Sequence, residues 1–262
     1  SLVVLPLREL GGPADLPPLG EGLAEEISAA LARFRWIFVL APSSAAVLGR
    51  ELADPLVVAQ RLGARYLVDG RLVHEPGGLR LRVGLVDAIS GRLLWTEQEI
   101  VEPGALAALT GEIAQAVAAR LARELLLREV ARTAAEPPGR ADAHILVLRA
   151  ARLTYSLEVP ALQEAAELLG RALALDPDHV GGHAWRAFAL MARAGYPWRE
   201  GHAELIAQTE RHTAHALRLD PTDAMALATR AQCRALARDH DQALGLAERA
   251  IAANPALPMA WG

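Results

Sequence analysis

Apolar positions in the first hundred residues fall in short blocks, and the spacing within each block changes along the chain. LVVLPL (Leu2 to Leu7) is a continuous apolar run and reads as a strand, followed by a Gly/Pro loop. Leu23, Ile27, Ala30, Leu31 and Phe34 then recur at three-and-four spacing, which predicts a helix from about Leu19 to Phe34 with one apolar face. WIFVLA (Trp36 to Ala41) reads as a buried strand. Asp54 followed by Pro55 is an N-cap with proline at the first helical position, and the short helix it opens should end near Gly63. From Arg65 to Ile100 the period drops to two, with turn signals at Pro76-Gly77-Gly78 and Ser90-Gly91 separating three runs. In LRLRVGLVD, Leu79, Leu81, Val83 and Leu85 alternate with Arg80 and Arg82, so one face is packed and one is wet. The order predicts an α/β domain with a mixed sheet and helices against one side.

Beyond residue 100 the pattern becomes helical throughout. Glu102-Pro103 opens a long helix to roughly Arg132, with Leu106, Leu109, Ile113, Val117, Leu121 and Leu125 in register. TAAEPPGRAD (Thr133 to Asp142) holds two prolines and a glycine and cannot continue it. Three later stretches end alike: RALALDPDH from Arg171, HALRLDPTD from His215 and RAIAANPAL from Arg249. Pro221 and Pro255 are 34 residues apart, the length of one tetratricopeptide repeat, while Pro177 and Pro221 are 44 apart. Taking the signature proline as repeat position 32, Ala231, Ala243 and Ala250 fall where that motif wants small residues for close helix packing, and Ala187 and Ala216 take the corresponding places one copy earlier. The ten extra residues fall around GYPWREGHAE, and Trp261 stands where a fourth repeat would have its Trp. The expected organisation is residues 1–132 as the α/β domain with its long helix, 133–141 as linker, and 142–262 as an all-α tetratricopeptide-repeat solenoid of about three repeats with a fourth cut at Gly262. Because a repeat array normally ends in a polar capping helix, the natural protein is expected to continue beyond Gly262.

Composition removes whole classes of function. All 27 basic residues are Arg, so the Lys that a P-loop, a protein kinase or Schiff-base chemistry requires does not occur in this segment. A net charge of −4 and 4% aromatic residues argue against direct nucleic-acid binding. No run approaches the roughly 18 uncharged apolar residues of a membrane-spanning helix. The single Cys233 cannot form an internal disulfide and reads as a small buried thiol.

Residues in arrangements suited to chemistry are sparse. Gly20-x-Gly22 lies between a strand and a helix, but Glu25 replaces the third glycine of the dinucleotide fingerprint, and Asp15, Glu21, Glu25 and Glu26 would repel a phosphate. His179, His183, His202, His212 and His215 crowd one half of the chain, and His212 and His215 share a helix face, yet no zinc motif accompanies them. No catalytic, cofactor-binding or metal-ligating residue is therefore expected. Recognition of a protein partner is what remains, through the concave groove of the repeats. Its candidate residues are Phe188, Met191 and Gln232, with Tyr196 and Trp198 of the insertion as exposed anchors or as a cover for their own repeat.

Taken together, VVLPL, GLAEEISAALARFRWIFVLAPSS and GARYLVDGRLVHEPGGLRLRVGLVDAISGRLLWTEQ resemble the TolB-amino-terminal-like, flagellar-lipoprotein-like domain that precedes tetratricopeptide repeats in bacterial regulators. The resemblance spans about Leu2 to Ile100 and continues into the repeats. It departs at LGGPADLPPLGEG, where such domains carry a polar loop. It implies a non-catalytic regulatory half of a transcriptional regulator or adenylate cyclase, located in the cytoplasm, with no cofactor and with a homodimer left open. The rival it leaves standing is a periplasmic, envelope-associated scaffold.

Overall fold

The computed structural model describes residues 1–11, 19–52, 54–75, 78–101, 106–134, 143–194 and 201–257. The chain divides into two compact units, Ser1–Glu124 and Leu125–Gly262.

The first unit is built on a mixed five-stranded sheet. β1 (Leu2–Val4) and β2 (Arg8–Leu10) both run parallel to β3 (Tyr66–Glu75), and β3, β4 (Gly78–Asp87) and β5 (Leu93–Val101) form an antiparallel meander. Of the strand expected over Leu2 to Leu7 only Leu2–Val4 forms, and a second short piece, Arg8–Leu10, follows beyond its expected end. Pro6 has no N–H to give to a ladder, and the Leu7 amide turns away to the Gly20 carbonyl at 3.2 Å. The strand expected at Trp36 to Ala41 is reduced to a single bridge between Leu2 and Val39, and Phe38 is 69% exposed. An apolar run alone does not guarantee a packed ladder.

The alternation in β4 appears as expected. Leu79, Leu81, Val83 and Leu85 are buried, whereas Arg82 is exposed. Helix α1 (Leu19–Ala32) packs on β1 and β2, and α4 (Leu106–Ala134) reaches β5 through an ion pair between Arg120 and Glu97. Glu97 and Glu99 stand opposite Val83 and Leu81 and so share the packed face. The other face is not bare of helices, which corrects the one-sided arrangement expected. α2 (Pro42–Glu51), a helix the apolar spacing does not signal, and α3 (Pro55–Arg61) bring Ala45, Val58 and Ala59 against Val3, Leu5 and Leu67. Asp54 caps α3 by accepting from the Leu56 amide at 2.9 Å, and Gly63 closes it in the left-handed conformation at φ 67°. These helices cover one end of that face, and the Arg71–Arg82 end is left open.

In the second unit α5 (Ala143–Thr154), α6 (Val159–Leu175), α7 (Val180–Ala194), α8 (His202–Leu219), α9 (Ala224–Leu236) and α10 (His240–Ala253) each pack on their sequence neighbours. α7 also packs on α5 and on α9. The three repeated sequence endings are three copies of one geometry. Asp176, Asp220 and Asn254 close α6, α8 and α10 with φ of −137°, −136° and −150° and ψ of 92°, 98° and 91°. Each precedes a proline, whose ring forces that extended conformation. Each also accepts, through its side-chain oxygen, the amide two residues on: Asp178 at 3.3 Å, Thr222 at 3.0 Å and Ala256 at 3.1 Å. These side-chain turns redirect the chain.

Candidate functional site

The face shared by α5, α7 and α9 carries an aromatic row. Trp185 packs against the clusters on both sides of α7. Its ring lies 6.2 Å from Tyr155 at 53° and 6.0 Å from Phe188 at 76°, an edge-on contact that aromatic quadrupoles favour. Tyr155 is 53% exposed while Trp185 and Phe188 are half-buried, so the row runs from solvent to the edge of the core. Such a strip offers a partner apolar ring edges and faces at little entropic cost.

Of the candidates named from sequence, Phe188 belongs to this row and is half-buried. Met191 is inside, with its sulfur 3.6 Å from Cys233 Sγ. Burial pushes the Cys233 thiol up to about 11, which removes its nucleophilic form near neutral pH. Gln232 is half-buried on α9. Tyr196, Trp198 and Trp261 lie outside the described residues. Sequence reasoning missed Tyr155 and Trp185; a Trp early in a repeat helix was the signal available for the second.

Three of the histidines, His183, His212 and His215, form a cluster. His183 Nε2 donates to the Pro177 carbonyl at 2.8 Å, which leaves its Nδ1 to accept from His212 Nδ1–H, also at 2.8 Å; these tautomers are assigned from the network. The His215 ring stacks on His183 at 4.1 Å and donates to Asp178 at 3.2 Å while accepting from Arg218. The ring nitrogens of His183 and His215 are thereby spent on hydrogen bonds, and no group of three or more ligands suited to a metal occurs among the described residues. Burial first, then the nearby Arg186 charge and the neighbouring His183, hold the His212 imidazole down at about 4. His183 is lowered as well, chiefly by burial. The cluster joins α7, α8 and the turn before α7 as a clasp in which His183 and His212 resist protonation.

The Gly-rich entry to α1 offers no anion cradle at Gly20. Its amide donates to Glu9 Oε1 at 2.6 Å, and a Cβ there would stand 2.1 Å from the Leu7 carbonyl oxygen, so this glycine serves close packing. Residues 12–18 of that loop lie outside the described residues.

Comparison with known proteins gives one sequence relative and several structural likenesses. No family model matches the chain. A protein named putative adenylate cyclase 3, from Rhizobium meliloti (strain 1021), is 24% identical over 184 residues, which cover 70% of this chain and 31% of that protein. The chain therefore spans under a third of the length of that relative. Among solved structures, TolB from Acinetobacter baumannii aligns with a TM-score of 0.33 and 17% identity over 47% of this chain and 27% of TolB. The C-terminal domain of LpoB from Salmonella enterica aligns with a TM-score of 0.23 and 21% identity, over 38% of this chain and 81% of that one.

Proposed function

We propose that this chain is a non-catalytic, protein-interaction segment of a bacterial signalling protein, with the helical unit acting as a short tetratricopeptide-repeat array and the α/β unit as a docking or sensing module. The observation that carries the reading is the 184-residue similarity to a putative adenylate cyclase of which the aligned part is less than a third. In this reading the segment regulates an output domain located elsewhere in its protein. The repeat reading is supported by the three matching helix ends and by Ala187, Ala216, Ala231 and Ala250, all buried where a repeat register puts small residues. Partner binding then falls to the α5–α7–α9 face, with Tyr155 and Phe188 at its aromatic row and Gln232 beside it. In this reading the segment works in the cytoplasm.

The experiment is to read the coding sequence on both sides of this segment. A cyclase or winged-helix DNA-binding domain in the same reading frame supports the proposal. A signal sequence with no output domain replaces it with an envelope scaffold.

A further inference from the structure

Three arginines stand side by side on the open end of the sheet. Arg8 of β2 lies beside Arg71 of β3, and Arg71 lies directly opposite Arg82 of β4. Directly opposed residues bring their Cβ atoms to about 4.5–5.5 Å, and like charges in that arrangement are unfavourable. Arg8 is compensated by Asp69 at 3.8 Å, and Arg80, two residues before Arg82, is tied to Glu75 at 2.5 Å. Arg71 and Arg82 have no ion pair or side-chain hydrogen bond among the described residues. Although the chain has 31 acidic residues, two adjacent cations on this face have no compensating carboxylate among the described residues.

Beside them the sheet is hollow. A cavity of about 400 Å³ is lined by these arginines together with Leu10, Asp69, Gly70, Gly84, Val86, Leu93 and Thr96, and the Asp69 carboxylate in it is the one paired with Arg8. Gly84 lies on the same side as Arg82, and a Cβ there would stand 3.1 Å from Leu93 Cδ1, so the Leu93 side chain lies over the glycine and forms that part of the floor. Gly84, Val86 and Leu93 give the hollow an apolar bed, and Leu93 is 58% exposed.

We propose that this face binds a small organic phosphate monoester, with the phosphate gripped by Arg71 and Arg82 and the apolar body resting over Gly84, Val86 and Leu93. A phosphate monoester carries about −1.5 to −2 charge at neutral pH, which matches the two uncompensated guanidiniums. Arginine forks bind phosphate oxygens in bidentate fashion, so adjacent forks hold one tetrahedral group. The hollow has the size of a small-ligand site and not of a protein footprint. The site lies wholly within Ser1–Glu124 and stands independently of the function proposed above.

The test uses the whole 262-residue chain, with phenyl phosphate as probe and amide and Arg Nε–H signals followed by NMR. Saturable shifts are expected at Gly84, Thr96, Arg71 and Arg82, with inorganic phosphate moving the arginine signals but not Gly84. Arg71→Gln and Arg82→Gln should each weaken binding roughly tenfold or more, with the melting temperature unchanged or raised because an opposed like charge is gone. Arg171→Gln, on an exposed position of α6, should leave the affinity as it was. The proposal is overturned if phenyl phosphate gives no saturable shift at millimolar concentration, or if the shifts persist at full affinity in both arginine variants. It is equally overturned if a tetraglutamate peptide saturates this face while phenyl phosphate does not.

Discussion

Acidification should loosen the α7–α8 clasp before it touches the rest of the chain. His212 is held at about 4 against an ordinary imidazole value of 6.5. The folded value lies below the unfolded one, so as pH falls the unfolded chain takes up the proton first. Stability is therefore intact above about 6.5 and drains away as the pH drops toward 4. Each tenfold loss of proton affinity on folding is worth about 1.4 kcal/mol, giving an upper bound of about 3 kcal/mol; partial solvent access and screening reduce this to about 1–2 kcal/mol. His183 moves in the same direction and adds to the effect. The charges facing the pair are Arg186, Arg211, Asp178 and His215, and only Asp178 favours the protonated ring. The assay is urea unfolding at about pH 7.5 and about pH 5 for the wild type and for His212→Gln, joined to an NMR titration of the imidazoles. The wild type should lose about 1–2 kcal/mol more than the variant over that interval. Asp87 does not confuse the comparison. Although burial raises its carboxyl, the amides of Ser90 and Ile89 and the Arg65 charge lower it overall, so its contribution is lost only below its ordinary value of 3.8. Equal pH dependence in the two proteins, or a His212 titration near 6.5, would show that the clasp is not the acid-sensitive element.

Other consequences follow from packing. Gly70→Ala should destabilise the first unit by about 1–3 kcal/mol, because its Cβ would meet the Arg82 carbonyl oxygen at 2.3 Å, a backbone atom that cannot swing away. Gly22→Ala, exposed on α1 with nothing within 4 Å, should instead stabilise by about 0.5–1 kcal/mol; thermal melts of the two variants should move in opposite directions. Cys233 should resist alkylation in the native chain at mildly alkaline pH and react readily after unfolding in urea, as followed by mass spectrometry. Fast native labelling would be at odds with its burial and its raised thiol.

What could be read from the sequence was what local pattern encodes. The β3–β5 meander was legible because Leu79, Leu81, Val83 and Leu85 alternate strictly with their neighbours, and the α3 cap because Asp54-Pro55 acts within one turn. The repeated helix ends were legible for the same reason, since proline constrains the residue before it wherever it occurs. Trp36 to Ala41 misled because hydrophobicity does not specify a hydrogen-bonding partner, and α2 was missed because its apolar positions are too few to make a stripe. The site features depend on tertiary register. Nothing local places His183 of α7 against His212 of α8, 29 residues away, or Arg71 opposite Arg82. Only the pairing of strands and the packing of helices brings those groups together.

A regulatory segment must change an output made elsewhere in its protein while making none itself. If the coding sequence places a cyclase domain in the same protein, one of the two outputs proposed above, cyclic AMP formation from ATP can be compared for the isolated segment, for the full natural protein, and for that protein with the segment removed. The segment alone should show no turnover, and deleting it should change the full protein's rate several-fold. Turnover by the segment alone, or a full-length rate indifferent to its removal, would rule out the regulatory role proposed for it.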